Sequence, residues 1–584
     1  MNFTNVEHRC NDNFCYMVNE EELVINLKTG KEITQVFLCY GDPFSAGIMG
    51  SQQQWKHDRI EIIEKRELKE QYWWSIRVKP EFKRCRYYFE LLSEDEKKIY
   101  MENGFFDEGY EKKPEMMLEF FTFPWMNPAD LMVTPEWVKH TIWYQIFPDR
   151  FCNGDSSLNK KEVLPWAKTN QKVNNEQRYG GDLPGIISKL DYLSELGITG
   201  IYMTPINLAN SVHRYDTLDY QQIDTDLGDK SIMKTLVKEA HNRGIRVMVD
   251  GVFNHTSCFC PMWLDVVEKG KDSVYFDWFF VHNWPFEPLG SNAKKKNYFS
   301  FAFIDNMPKL NTNNWEVIEF VLNICEEWIR EYDIDGIRLD VANEISHVLC
   351  KAMRKRLKSI KEDFYIMGEI WHDSTPWLRG DEFDAVMNYP FTGAVSNFWM
   401  DKRLTAKELS YSIQRCYCMY MEQVNQVAFN MLDSHDTMRA VTKIGNQDKI
   451  FQQLVLLFSM EGSPCIYYGT EVLLEGGADP DCRRCMPWKE IAEGKYQQTM
   501  DTVKKILALR KEIPAFSSAR FYFIEEEQAR LIHYVKEDTK GHQVHIYLNC
   551  EDTAIDVAKN NDVLFSNLYE DGILESNGIL IYQE

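Results

Sequence analysis

From Thr141 to about residue 470 the chain alternates short apolar runs with amphipathic stretches, and eight of the runs have the length of buried strands. They begin at Thr141 (TIWYQIFP), Gly200 (GIYMTPI), Ile245 (IRVMVDGVF), Gly336 (GIRLDVA), Tyr365 (YIMGEI), Ala385 (AVMNY), Val427 (VAFNML) and Cys465 (CIYYGTE). Near-continuous apolar strands joined by helices must pair in parallel with both faces covered, and eight such units predict a (β/α)8 barrel. Between the first two runs, DLPGIISKLDYLSELG predicts one helix, with Pro184 near its start, Gly197 after its end, and Ile186, Leu190, Leu193 and Leu196 on one face.

The rest of the chain is organised around this repeat. Residues 1–130 mix β-branched and aromatic segments with turn signals at Gly30, Asp42-Pro43 and Pro80, which predicts a β-sandwich. The barrel is expected over 131–252 and 313–513. The long gap after its third strand, 253–312, is rich in Trp, Phe, Asn and Pro and is expected to be an insertion over the C-terminal face. Alternating strands return over 514–584 as a second, smaller β domain.

Composition excludes several function classes. A formal charge of -23 repels polyanions, so no nucleic acid or anionic membrane surface is expected as partner. No apolar run reaches the roughly 18 residues that span a bilayer, and no basic segment followed by an apolar one opens the chain, so a cytoplasmic location is expected. The 15 cysteines are odd in number and scattered, which fits free thiols; the lone CxxC at Cys482 and Cys485 lacks the second pair of a structural zinc site. No Gly-rich dinucleotide fingerprint and no HExxH motif occurs. Aromatic residues make up 14%, a composition suited to stacking on sugar rings as well as to core packing.

Three of the strand candidates end in acids: GIRLDVANE at Asp340, IMGEIW at Glu369 and LDSHDT at Asp436. Buried charge is costly unless paired or used, and strand C-termini converge on one pocket in a barrel. The same rule gathers Asp250, Asn254, His255, Arg338 and His435 there. Glycoside hydrolysis needs such a carboxylate pair, one ionised and one protonated. Arg338 and Asp340 stand two residues apart on a strand and so share a face, where the cation favours an ionised nucleophile. Glu369, partly buried beside Trp371, is expected to act as acid and then base.

These segments resemble a known family. DGVFNH, GIRLDVANE, GEIW and LDSHDT are similar to the four conserved regions of the α-amylase superfamily, glycoside hydrolase family 13. MPKLN at Met307 to Asn311 and the VANE ending are similar to the neopullulanase, cyclomaltodextrinase and maltogenic amylase subgroup, as are QIFPDRF, SVHRYDTLDY and DPDCRR. CYGDPF and RYYFELL resemble that subgroup's N-terminal carbohydrate-binding module of family 34. The resemblance implies a retaining α-glucan hydrolase acting by double displacement on cyclodextrins, maltooligosaccharides, pullulan or starch, with transglycosylation. Asp340 would be the nucleophile, Glu369 the acid/base and Asp436 the transition-state stabiliser. His213 and Tyr215 would sit at the cleavage subsite, Asp479 and Arg483 toward the non-reducing end, and Glu344 and Trp371 on the acceptor side. Asn254, His255, Arg338 and His435 complete the implied substrate contacts.

Calcium is the one cofactor implied, held by Asn153, Asp155 and Asn159 with Gly181 and Asp182; Leu158 replaces a further Asn of the family loop. Cys485 also departs, standing where relatives have Pro. The subgroup's N domain implies a homodimer built through it. The alternatives are a related α-1,6-specific hydrolase or glucosyltransferase, with MPKLN arguing against an oligo-1,6-glucosidase, and a non-catalytic glucan-binding barrel, for which a full acid pair has little use.

Overall fold

The computed structural model describes residues 1–45, 47, 55–112, 119–286, 291–557 and 562–584. The chain divides into two compact units. The first comprises 1–133 together with 375–380 and 407–425, and the second holds all the rest.

In the first unit, two antiparallel sheets form the sandwich expected from the alternating segments. One runs Cys15–Met17, Leu23–Gly30, Gln71–Val78, Glu64–Glu67; the other runs Asp58–Glu61, Gln35–Gly41, Cys85–Leu92, Lys97–Met101, Gly104–Phe106, with Phe121–Phe123 added beside Cys85–Leu92. Leu23, Ile25, Leu27, Val36, Leu38, Trp74, Phe89 and Leu91 fill the space between them. The segment 407–425 joins this unit through polar side chains of both partners: Asn13 Nδ2 donates to Cys418 O at 2.7 Å and Gln423 Nε2 to Met17 O at 2.7 Å. A sequence reading by local periodicity assigns that segment to the barrel, because nothing in its own pattern encodes these long-range bonds.

The second unit contains the barrel. Its strands are β1 (Trp143–Ile146), β2 (Gly200–Met203), β3 (Arg246–Gly251), β4 (Gly336–Leu339), β5 (Tyr365–Gly368), β6 (Ala385–Val386), β7 (Phe429–Met431) and β8 (Ser463–Tyr467). All pair in parallel in the order β6-β5-β4-β3-β2-β1-β8-β7, and a bridge between Met387 and Phe429 closes the ring. Each of the eight runs read from the sequence contributes one strand. Trp143, Tyr202, Met248, Tyr365, Met367 and Phe429 pack together in the barrel interior, where the Trp143 indole donates to Ser463 Oγ at 2.7 Å.

Two local features differ from the expected pattern. The helix between β1 and β2 is broken into Leu183–Ser188 and Leu190–Leu196, because Lys189 leaves the helical region at ψ 3° and its N–H bonds to Ile186 O at 3.0 Å. Asp182 caps its start and Gly197, left-handed, its end. After β2 the chain also forms an antiparallel pair, Asn207–Ala209 with Thr217–Ile223, whose connecting turn carries His213 and Tyr215. The insertion after β3 contains the helix Pro261–Lys269 and a small core of Trp263, Phe279 and Tyr298; its residues 287–290 lie outside the described set. Its far end returns to the barrel rim, where Leu310 N donates to Asn254 O at 3.0 Å and Lys309 bridges to His255. The C-terminal sheet orders Phe521–Ile524, Leu531–Glu537, Gln543–Asn549, Ile573–Gln583 and Ile555–Asp556, with Val563–Glu570 on Ile573–Gln583. No helix among the described residues is long and apolar enough to cross a membrane.

The sandwich holds a buried imidazole that makes its stability depend on pH. His8 donates from Nδ1 to Asn26 O (2.6 Å) and accepts at Nε2 from Tyr87 O–H (2.9 Å), and burial lowers its pKa to about 3. The unfolded chain therefore takes up a proton near pH 6.5 that the folded unit refuses until about pH 3. We expect the first unit to lose up to ~1.4 kcal/mol per pH unit from this group as pH falls through that window. Urea titrations at several pH values should give a shallower slope for His8→Gln than for the wild type.

Candidate active site

Arg338 lies at the centre of the strand ends. Alternation along β4 sends its side chain inward with that of Asp340. Its Nη1 donates to Asp250 Oδ1 (2.9 Å) and Oδ2 (3.1 Å) and to Asp340 Oδ1 (2.8 Å), while Nη2 lies 2.9 Å from Glu369 Oε2. One guanidinium thus faces three buried carboxylates from β3, β4 and the end of β5. Burial, together with Glu369 and Asp250, pushes the Asp340 carboxyl well above its usual range against the pull of Arg338, and burial also raises Asp250. Burial thus works against the ionised forms of Asp340 and Asp250, and Arg338 works for them.

Glu369 is held from several sides. Val341 N donates to Oε2 at 3.0 Å and the Trp371 indole N–H to Oε1 at 3.0 Å. Val341 reaches that position in a left-handed conformation, φ 46°, which costs a β-branched residue strain and is kept by the bonds around it. Trp371 is 52% exposed on one face and stacked on Tyr389 on the other, with centroids 3.8 Å apart.

Opposite Arg338, the Asp436 carboxylate meets His435 Nε2 at 3.1 Å and Arg483 Nη2 at 3.3 Å; burial pushes its pKa up while Arg338 and Arg483 draw it down. Arg483 also pairs with Asp479 at 2.9 Å and donates through Nε to His435 O at 2.9 Å. Tyr215 stacks on His435 at 5.5 Å with rings 7° apart, and its hydroxyl donates to Asp250 Oδ2 at 3.0 Å. His213 is stacked beside it at 5.9 Å and held at about 3, mainly by burial and secondarily by Arg483 and Arg214. Asn254 Nδ2 donates to His255 Nδ1 at 3.2 Å, and His255 Nε2 faces Tyr215 O at 3.1 Å. All thirteen residues assigned to catalysis or substrate from the sequence lie on barrel strand ends or the loops that follow them, and Glu344 sits on the turn after β4.

Sequence reading passed over three contributors. Gln145 on β1 donates to His435 Nδ1 at 2.6 Å, leaving that ring's Nε2–H to face Tyr215 O–H and Asp436. Tyr202 on β2 donates to Asp250 Oδ2 at 2.6 Å. Lys309 touches Asn254 and Glu344. Gln145 opens QIFPDRF and Lys309 lies in MPKLN, so both stand in segments that the sequence marks, although nothing local names their partners; Tyr202 looks like any residue of an apolar strand.

The loop after β1 carries the side chains expected for a cation; among the described residues no group of three or more His, Cys, Asp or Glu side chains is placed to hold a metal ion. Asn153 Nδ2 donates to Asn159 Oδ1 at 3.0 Å, and Asp155 accepts from Ser157. Asp182 accepts from the N–H groups of Gly154 (2.9 Å), Asp155 (2.8 Å) and Gly185 (2.6 Å), so it orders the loop. The glycine lying against Asn153 and Asn159 is Gly180, at φ +77°, where an added Cβ would stand 2.4 Å from Asn159 Oδ1; a Cβ on Gly181 would instead meet Pro148 O.

Comparison with known proteins agrees with this geometry. Residues 145–565 match the model of the alpha amylase catalytic domain, and residues 1–127 that of the alpha amylase N-terminal ig-like domain. The chain is 41% identical to a cyclomaltodextrinase of Geobacillus thermopakistaniensis, over 94% of this chain and 92% of the relative. It is 42% identical to an intracellular maltogenic amylase of Bacillus subtilis, over 88% and 85%. A solved cyclomaltodextrinase structure superposes with a TM-score of 0.88 at 35% identity, covering 100% of this chain and 98% of the other. A carboxylate cluster at the ends of eight parallel strands, and family models spanning the barrel and the sandwich, place this chain in the alpha-amylase family as a glycoside hydrolase.

Proposed function

We propose that this hydrolase cleaves α-1,4, and also α-1,6, glucosidic bonds in cyclodextrins, maltooligosaccharides, pullulan or starch by double displacement. The observation that carries the reading is the Arg338 cluster: Asp340 and Glu369 lie on the two Nη atoms of one guanidinium, at 2.8 and 2.9 Å, which supports the close carboxyl pair, about 5–5.5 Å, that retention uses. The relatives named cyclomaltodextrinase and maltogenic amylase support the substrate class.

Asp340 attacks the anomeric carbon as Glu369 passes a proton to the departing glycosidic oxygen. Water, or a sugar hydroxyl in transglycosylation, then adds to that carbon; Glu369 takes its proton and the bond to Asp340 breaks. Asp436, oriented by His435 and Arg483, accepts hydrogen bonds from the ring hydroxyls and offsets the positive charge that develops. Tyr215, beside His213, provides a flat face for the sugar at the bond cleaved, with Asn254, His255 and His435 around it. Asp479 and Arg483 bind further toward the non-reducing end, and Trp371 and Glu344 bind on the acceptor side.

The loop after β1 suits Ca2+, a hard cation that prefers amide and carboxylate oxygens. Asn153, Asp155 and Asn159 would hold it, with Asp182 and the adjoining glycines Gly180 and Gly181 shaping the loop. Its contribution there is structural. A homodimer assembled through the N-terminal domain and a cytoplasmic location complete the proposal; the relative named as intracellular supports the latter.

Glu369→Gln should lower turnover of β-cyclodextrin by about 10²–10⁴-fold with the circular dichroism spectrum unchanged; activity within twofold of wild type would refute the assignment. Adding Ca2+ after chelation should raise the melting temperature of the wild type and leave Asp155→Ala unmoved, and a wild type indifferent to Ca2+ would remove the metal from the proposal. Light scattering should give twice the chain mass for the full protein and the single mass for a chain beginning at Pro135.

A further inference from the structure

Lys309 belongs to the insertion, yet its ammonium is spent at the barrel rim. It donates to Asn254 Oδ1, to Glu344 Oε2 at 2.8 Å and to Glu344 O at 3.2 Å, with its side chain only 18% exposed. Three elements meet there: the end of the insertion, the loop after β3 and the turn Ala342–Glu344 after β4.

Each arm of this contact has a consequence at the reacting centre. An ammonium only donates, so Asn254 must turn its oxygen toward it and its amide nitrogen toward His255 Nδ1. His255 then carries its proton on Nε2, facing Tyr215 O, and burial aided by the Lys309 charge keeps the ring neutral down to about pH 4. On the other arm, Val341 N and Ala342 N both donate to Glu369, to Oε2 at 3.0 Å and to the main-chain O at 3.1 Å. The turn that carries Glu344 is therefore packed on the acid/base. In double displacement the leaving group departs and the acceptor arrives on that side, because one residue protonates the first and deprotonates the second. The Glu344 carboxylate stands on that same turn, 43% exposed, with one oxygen tied to Lys309.

We propose that Lys309 is a positioning residue: by holding Glu344 it sets how the glycosyl intermediate on Asp340 is divided between water and a sugar acceptor. The proposal rests on the double-displacement reading. In either branch an acceptor oxygen bonds to the anomeric carbon, the carbon–oxygen bond to Asp340 breaks with its electron pair returning to the carboxylate, and the acceptor proton passes to Glu369.

The test is turnover of p-nitrophenyl α-maltoside in the presence of methyl α-glucoside, with transfer and hydrolysis products separated by chromatography. Lys309→Met should change the transfer-to-hydrolysis ratio by about three- to tenfold, the scale of one hydrogen bond to a charged group. Glu344→Gln should move it in the same direction, and the double variant no further than Glu344→Gln alone. A merely structural lysine would lower the overall rate or the melting temperature without moving the ratio. An unchanged ratio in Lys309→Met, or additive effects in the double variant, would overturn the proposal. Glu344→Gln leaves the Lys309–Asn254 contact in place, so if Lys309→Met does not fold, an unchanged ratio in Glu344→Gln overturns it equally. A wild type that released no p-nitrophenol would count against the hydrolase reading instead.

Discussion

The active end of the barrel is built around one buried cation. Arg338 is fully buried, and a guanidinium in that position is tolerable only with anionic partners at hydrogen-bond distance. Asp250 and Asp340 bind its Nη1 and Glu369 lies against its Nη2, and Asp250 is in turn satisfied by the hydroxyls of Tyr202 and Tyr215. The cluster draws β2, β3, β4, β5 and the turn after β2 into one electrostatic unit. Three carboxylates face one guanidinium there, so anionic groups outnumber the cation around the site, an arrangement that suits a reaction passing through a cationic transition state.

Around that unit the imidazoles are kept neutral. Burial presses His213 to about 3, His255 to about 4 and His435 well below the ordinary histidine range. Each ring of the facing pair has a set orientation: Gln145 donates to His435 Nδ1, and Asn254, turned by Lys309, donates to His255 Nδ1. Side chains remote from the reacting carbon thus decide which nitrogen carries a proton. The left-handed Val341 belongs to the same economy of position, since only that conformation turns its N–H onto Glu369 while Asp340 reaches Arg338.

Much of this was legible from residues alone, and the legible parts share a cause. The eight strands could be read because a strand buried on both faces is apolar throughout, and Asp340, Glu369 and Asp436 stood out as charges closing such runs. Arg338 could be paired with Asp340 because a period of two places them on one face. Features that depend on distant partners were not legible in this way. The break at Lys189, the pairing of 207–209 with 217–223 and the attachment of 407–425 to the sandwich leave no periodic mark. Gln145 and Lys309 are single polar residues whose roles follow from what lies across the barrel, 290 positions away for Gln145 and 55 for the Asn254 contact of Lys309.

By itself, then, the sequence determined the class of fold and which acids close the buried strands, because hydrophobic periodicity and the cost of buried charge are local properties of a chain. Tertiary structure alone decided that Asp340 and Glu369 share one guanidinium, which tautomer each imidazole adopts, and that Lys309 joins the insertion to the turn after β4. Those outcomes depend on distances of about 3 Å between elements far apart in the chain, and hydrogen bonds discriminate on that scale where composition and spacing do not.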